Sequence, residues 1–91
     1  MKPASNPIQR CLEDLLDELQ NARRADDLGR LALLSYCEIR RWARVAGEEA
    51  LAQQATLLIT NSPMASRQAF LDEVDAMIAE LHKVHERLGK T

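Results

Sequence analysis

Apolar residues recur at alternating steps of four and three near both ends of the chain. The C-terminal stretch has them at Phe70, Val74, Met77, Leu81, Val84 and Leu88. The N-terminal stretch repeats the spacing at Ile8, Leu12, Leu15, Leu19 and Ala22. This spacing is typical of one face of an α-helix that packs lengthwise on another helix. The pattern therefore predicts an all-α fold with an amphipathic helix at each end.

Helix start and stop signals divide the chain into three predicted antiparallel helices, at about 7–24, 27–60 and 63–88. Asn6 is a good cap residue, and Pro7 and Pro63 suit the first turn of a helix because a proline there loses no intrahelical hydrogen bond. We expect residues 1–6 to be disordered or extended. Residues 7–91 are predicted to form a single helical-bundle domain.

The central helix is predicted to run unbroken, because residues 27–60 contain no proline and are rich in good helix formers. At 1.5 Å per residue it would span roughly 50 Å, against about 25 Å for the first helix and nearly 40 Å for the third. Neither neighbour covers it fully. The alternative is a break at Gly47, with Glu48 and Glu49 starting a new helix, so that four short helices close into a monomeric bundle.

Because the central helix would be incompletely covered, we predict an interface along it. Each apolar side chain left in water would lose on the order of 1 kcal/mol of burial free energy. A second copy of the chain, related by a two-fold axis, is the simplest partner and would make the protein a homodimer. The residues predicted to contact that copy or another partner are Trp42, Val45, Leu51, Leu57, Leu58, Ile59 and Met64.

Composition narrows the class of protein. Hydrophobic residues make up 46% of the chain but only three residues are aromatic, which suits helices better than a sheet. The formal charge of −2 creates no global field for nucleic acid or an anionic membrane. No apolar run approaches the roughly 20 residues that span a bilayer. Because Cys11 and Cys37 form no disulfide or metal pattern, we expect reduced thiols in a cytoplasmic protein.

The concentrated basic feature of the chain is a set of arginines predicted to share one face of the central helix: Arg30, Arg40, Arg41 and Arg44. Such a face can bind phosphates or an acidic partner surface. The favoured interpretation is structural, since antiparallel folding would bring Glu13, Asp14 and Glu80 close enough to form ion pairs with these arginines.

Candidate catalytic and metal chemistry is sparse. His82 and His85 lie three residues apart and are followed by Glu86, but the sequence supplies no further ligand in fixed geometry. We therefore interpret them as residues of a solvated helix end. The chain shows no base and nucleophile pattern and no glycine-rich phosphate loop. We predict neither an enzyme nor a metal or cofactor site.

These observations predict a small regulatory or adaptor protein of bacterial type that acts by protein–protein binding through helical surfaces. The alternative is a nucleic-acid-binding regulator, in which dimerisation doubles the arginine face into a phosphate-binding surface.

Overall fold

A computed structural model describes residues 7–60 and 66–89, and this part of the chain forms four helices with no strand. Helix α1 is Pro7–Arg24, α2 covers 28–46, α3 is Glu49–Thr60 and α4 is Arg67–Gly89. Helix α2 combines an α segment Leu28–Leu33, a π-helical turn Leu34–Glu38 and an α segment Ile39–Ala46. The predicted all-α class is confirmed, and residues 1–6 lie outside the described part.

The unbroken central helix is a wrong prediction, and with it the count of three helices. Gly47 ends α2 in the left-handed conformation, with φ of 77°. Its N–H donates to the carbonyl of Arg44, and the next N–H, of Glu48, donates to the carbonyl of Ala43. These bonds satisfy carbonyls that the helix end leaves free, which is how a glycine stop works. Helix α3 then begins at Glu49.

Local caps explain the starts of α2 and α4. The Asp27 side chain accepts a 3.2 Å hydrogen bond from the backbone N–H of Arg30 at the start of α2. The Ser66 hydroxyl accepts a 3.0 Å bond from the N–H of Ala69 at the start of α4. Each bond satisfies an N–H that has no partner within its helix. Pro63, predicted to begin this last helix, lies outside the described residues.

One hydrophobic cluster joins all four helices. Helix α1 packs against α2 and α4, while α3 folds back onto α2 and also touches α4. The largest fully buried side chains are apolar except for one serine: Leu12, Leu19, Leu31, Ile39, Val74, Met77, Leu81 and Ser35. Both terminal stripes therefore face the core, as their spacing predicts.

The break at Gly47 also changes the predicted interface. Leu51 and Leu58 are each only 3% exposed, so the expectation that they lie partly in water is wrong. Because α3 turns back, these two side chains pack inside their own chain. Leu57 remains 53% exposed and Ile59 is half-buried. Met64, which we also assigned to the interface, lies outside the described residues.

The length mismatch behind the predicted homodimer is therefore gone, and dimerisation stays a prediction. The described residues extend over 50 × 27 × 17 Å, with a radius of gyration of 13.3 Å. Across 7–60 and 66–89, every helix is too short or too polar to cross a bilayer.

Candidate functional site

A groove of about 560 Å³ lies between α1 and α2. Helix α1 contributes Cys11, Asp14, Leu15 and Glu18 to its lining. Helix α2 contributes Arg30, Leu33, Leu34, Glu38, Arg41, Trp42 and Val45. The described lining includes no residue of α3 or α4. The groove is thus a surface of the first two helices alone.

The groove has a buried apolar floor and an exposed apolar rim. Leu15 and Trp42 are almost fully buried in the floor, whereas Leu33 is 55% and Val45 69% exposed. The Trp42 indole N–H donates a 2.9 Å hydrogen bond to the carbonyl of Ile8 in the first turn of α1. This bond holds the indole in place and ties the two helices together. Trp42 therefore belongs to the core as well as to the predicted contact surface.

The π-helical turn explains why Leu33 and Val45 share the groove. In a regular α-helix, their twelve-residue separation would place them about 120° apart around the axis. A π turn takes up one extra residue and moves every later side chain back by about 100°. The offset between Leu33 and Val45 then falls to about 20°. The turn, at Leu34–Glu38, lies between them and supplies two groove residues of its own.

Ser35 also belongs to this turn but does not line the groove. Its side chain is fully buried, and its hydroxyl has no hydrogen-bond partner among the residues that the structure describes. On the same turn, the ring of Tyr36 makes an edge-on contact with Phe70 of α4, with ring centroids 6.4 Å apart. The π turn therefore contacts the core on one side and the groove on the other.

Two ion pairs lie on the groove. The Arg30 guanidinium contacts the Glu18 carboxylate at 3.0 Å and so bridges from α2 to α1. Arg41 contacts Glu38, one turn earlier on α2, at 3.3 Å. Asp14 lines the groove without an ion pair in the part of the chain that is described.

Beside the groove lies a second depression of about 420 Å³, lined by Cys37, Arg40, Arg41, Arg44 and Val45. We call Arg40, Arg41 and Arg44 the arginine shelf. Within 7–60 and 66–89, neither Arg40 nor Arg44 forms an ion pair. Arg41 and Val45 line both depressions, so the shelf and the groove are continuous.

The sequence predicted ion pairs between acidic residues of the neighbouring helices and the arginines of the central helix, and for Glu13 and Glu80 this prediction is wrong. Glu13 contacts the ring of His85 at 3.0 Å, and Glu80 contacts Lys83 at 3.3 Å. Both acidic residues therefore lie away from the arginines of α2. Helix α2 packs on α1 with its apolar side, which leaves most of its arginines on the outer surface. Of the four arginines, Arg30 is the only one that forms an ion pair with another helix within the described residues.

The histidines and cysteines are distributed singly. The ring of His82 contacts the side-chain amide of Gln20 at 2.9 Å, whereas His85 contacts Glu13. Over the residues that the structure describes, no three His, Cys, Asp or Glu side chains are grouped to hold a metal ion. Cys11 and Cys37 are free and exposed, the first in the groove and the second beside the shelf.

The sequence did not reveal the polar contacts between α1 and α4. Arg23 donates two hydrogen bonds to the Asp75 carboxylate, at 2.9 and 3.2 Å, which raises the pKa of the guanidinium above its ordinary value. The position of Arg23 in the last turn of α1 had a sufficient explanation in the helix dipole. The opposite charges of Arg23 and Asp75, on two amphipathic helices, were the sequence signal that could have predicted this contact.

Comparisons with known proteins found no match: no protein-family model, no curated protein and no solved structure is significantly similar to the chain.

Proposed function

We propose that this protein is a small, non-catalytic cytoplasmic regulator or adaptor that binds another protein through the groove between α1 and α2. The exposed apolar rim carries this proposal. Leu33 and Val45 stand largely in water above an apolar floor, although the same chain buries its other stripes well. Exposed apolar surface in a concave setting is typical of a protein interaction site.

The dimensions of the rim favour a helix as the bound element. Leu33 and Val45 are twelve residues apart, and because the π turn between them takes up one extra residue, they lie about 17 Å apart along α2. That distance matches about three turns of a partner helix, whose apolar side chains would follow one stripe. Burying both rim residues would contribute on the order of 1 kcal/mol each, because each is already partly covered.

The groove offers charged groups mainly in ion pairs, Arg30 with Glu18 and Arg41 with Glu38. Such pairs suit the polar edge of an interface, which fixes orientation and excludes wrong partners. This arrangement supports recognition rather than acid–base chemistry as the role of the groove.

A pair of single substitutions tests the proposal. Val45→Glu places a charge on the rim. Leu57→Glu makes the same kind of change on α3, outside the groove, at an exposed residue that was also predicted to contact a partner. We expect proteins from the source cell to be captured by the wild type and by Leu57→Glu, but lost with Val45→Glu. Each captured protein is then purified and titrated while the emission of Trp42, the only tryptophan, is recorded. Equal binding by both variants would refute the groove as the site.

A nucleic-acid-binding regulator is the second candidate, favoured by the lack of an ion pair at Arg40 and Arg44 in the described residues. Three phosphate contacts from the shelf would make the affinity for duplex DNA fall about 40-fold between 50 and 200 mM salt. Fluorescence anisotropy with a labelled duplex measures this fall. Binding that persists at high salt, or no binding at 50 mM, would remove this candidate.

Self-association through the groove is the alternative, because Trp42 and Val45 of its lining are among the residues predicted to contact a second copy. Leu57 was predicted with them but lies outside the groove. Sedimentation at micromolar concentration measures self-association directly. A homodimer built on the groove would dissociate in Val45→Glu and persist in Leu57→Glu, because only the first change lies on the groove.

A further inference from the structure

We infer that the partner helix carries acidic residues along one edge of its apolar stripe and docks with that edge over the arginine shelf. This inference rests on the proposed function, since it specifies the chemistry of the segment that the groove receives.

The groove and the second depression are continuous. Val45 belongs to the rim of the groove and also lines the second depression, as does Arg41. A helix whose apolar stripe covers Val45 therefore brings one of its polar edges over Arg40 and Arg44. Whatever side chains lie on that edge must be compatible with guanidinium groups.

The arginine shelf carries positive charge that is only partly compensated, through the pair of Arg41 with Glu38. Arg40 and Arg44 are one helical turn apart, and neither has an acidic partner within the described part of the chain. Like charges at this spacing destabilise a helix slightly. Two carboxylates one turn apart on a partner helix would match the spacing, and guanidinium binds carboxylate through paired hydrogen bonds.

The opposite wall supports a helix rather than a nucleic acid. Asp14 and Glu18 line the groove on the α1 side, and Glu38 lies beside the shelf arginine Arg41. A phosphate backbone crossing the groove would meet these carboxylates and would leave the apolar rim uncovered. An amphipathic helix can present acidic residues on one edge and neutral or basic residues on the other.

The test uses displayed helical peptides of about 16 residues, a length that covers the rim and one further turn. Each peptide carries leucines on one stripe, and its two flanking rows are randomised between Glu and Lys. We expect selection on the wild type to enrich Glu in one flanking row, with about tenfold weaker binding when that row is changed to Lys. Selection without preference in either row would overturn the inference.

Charge reversal makes the test specific to the shelf. Arg40→Glu with Arg44→Glu should reverse the preferred charge in that row while the leucine stripe is still required. Lys83→Glu with Arg87→Glu introduces the same charges at the same spacing on α4, outside the groove. This control breaks the ion pairs with Glu80 and Glu48 but should leave the peptide preference unchanged. Circular dichroism confirms that each variant is folded. An unchanged preference in the shelf variant would also overturn the inference.

The outcomes separate this inference from the proposed function. Leucine-stripe peptides that bind the wild type but not Val45→Glu, with no charge preference, would contradict the inference and leave the proposed function standing. If no peptide binds, both are overturned. If a second copy of the chain fills the groove and excludes peptides, or if only duplex DNA binds the shelf, the acidic helix is excluded as the partner.

Discussion

Within the described residues, helix α1 packs mainly against α2 and α4, and its contact with α4 is closed at the surface whereas its contact with α2 is open. Along α4, polar side chains bridge the two helices at several levels: Glu13 with His85, Gln20 with His82, and Arg23 with Asp75. Along α2, the one bridging ion pair joins Glu18 and Arg30 in the described residues, and apolar side chains beyond it stay exposed. The same helix therefore has one sealed contact and one open groove.

The difference shows that a helical neighbour alone does not close a surface. On the α4 side, a regular stripe is buried and long polar residues reach across from both helices. On the α2 side, the π-helical turn places Val45 on nearly the same side of the helix as Leu33. The edge of this contact is therefore apolar and has fewer polar side chains that bridge to α1. An open groove follows from that placement, and it is the feature on which the proposed function depends.

The largest expected effect compares a leucine from each region. Leu19 is fully buried in α1, so Leu19→Ala should lower the free energy of unfolding by about 2 to 5 kcal/mol, through lost burial and the cavity left behind. Leu33→Ala should stay within about 0.5 kcal/mol, because that side chain is 55% exposed. Urea unfolding followed by circular dichroism measures both. Similar losses at the two positions would show that Leu33 is packed and the groove is not open.

An intermediate effect is expected at the turn that directs α3 away from the groove. Gly47 has φ of 77°, so Gly47→Ala should destabilise the fold by about 1 kcal/mol even though its added Cβ would meet no atom within 4 Å. Gly29 lies in the first turn of α2 with room for a Cβ, and Gly29→Ala should stabilise by about 0.5 to 1 kcal/mol. Thermal and chemical unfolding of both variants give the signs. If Gly47→Ala instead stabilised the protein, that result would support the continuous central helix predicted from the sequence.

The smallest effect tests whether the shelf is really uncompensated. Arg40→Glu should raise the free energy of unfolding by about 0.2 to 0.5 kcal/mol at low salt, since it removes a like charge one turn before Arg44 and introduces an opposite one. Lys83→Glu should lower it slightly, because Lys83 pairs with Glu80. Both shifts should shrink in high salt. A loss of stability in Arg40→Glu would show that the shelf is already engaged within the chain.

Part of this architecture was predictable from the sequence. The first helix was predicted at 7–24 and is observed at Pro7–Arg24, because a proline start and a regular apolar spacing are both local signals. The C-terminal stripe from Phe70 to Val84 is buried as its period indicates. Gly47 was recognised as the point of a possible break, yet a single glycine costs a helix too little for the sequence to choose between the two outcomes.

Local sequence patterns could not predict the groove itself. Val45 and the arginines were identified as contact residues, but Leu33 was missed, since a regular helical projection separates it from Val45. The expected partners of the arginines were also wrong, because ion pairs between helices depend on rotation about each helix axis. A rotation of one residue moves a charge to a different neighbour.

The order of apolar and polar residues by itself determined that this chain is helical, which stripes are buried and where its first helix begins and ends. Hydrogen bonds between near neighbours and the period of burial set those features. Only the tertiary structure decided that α2 stops at Gly47, that its middle winds as a π turn and that α1 is sealed on one side and open on the other. Those outcomes depend on how side chains from distant positions pack, and packing energy is shared among helices rather than encoded in any one of them.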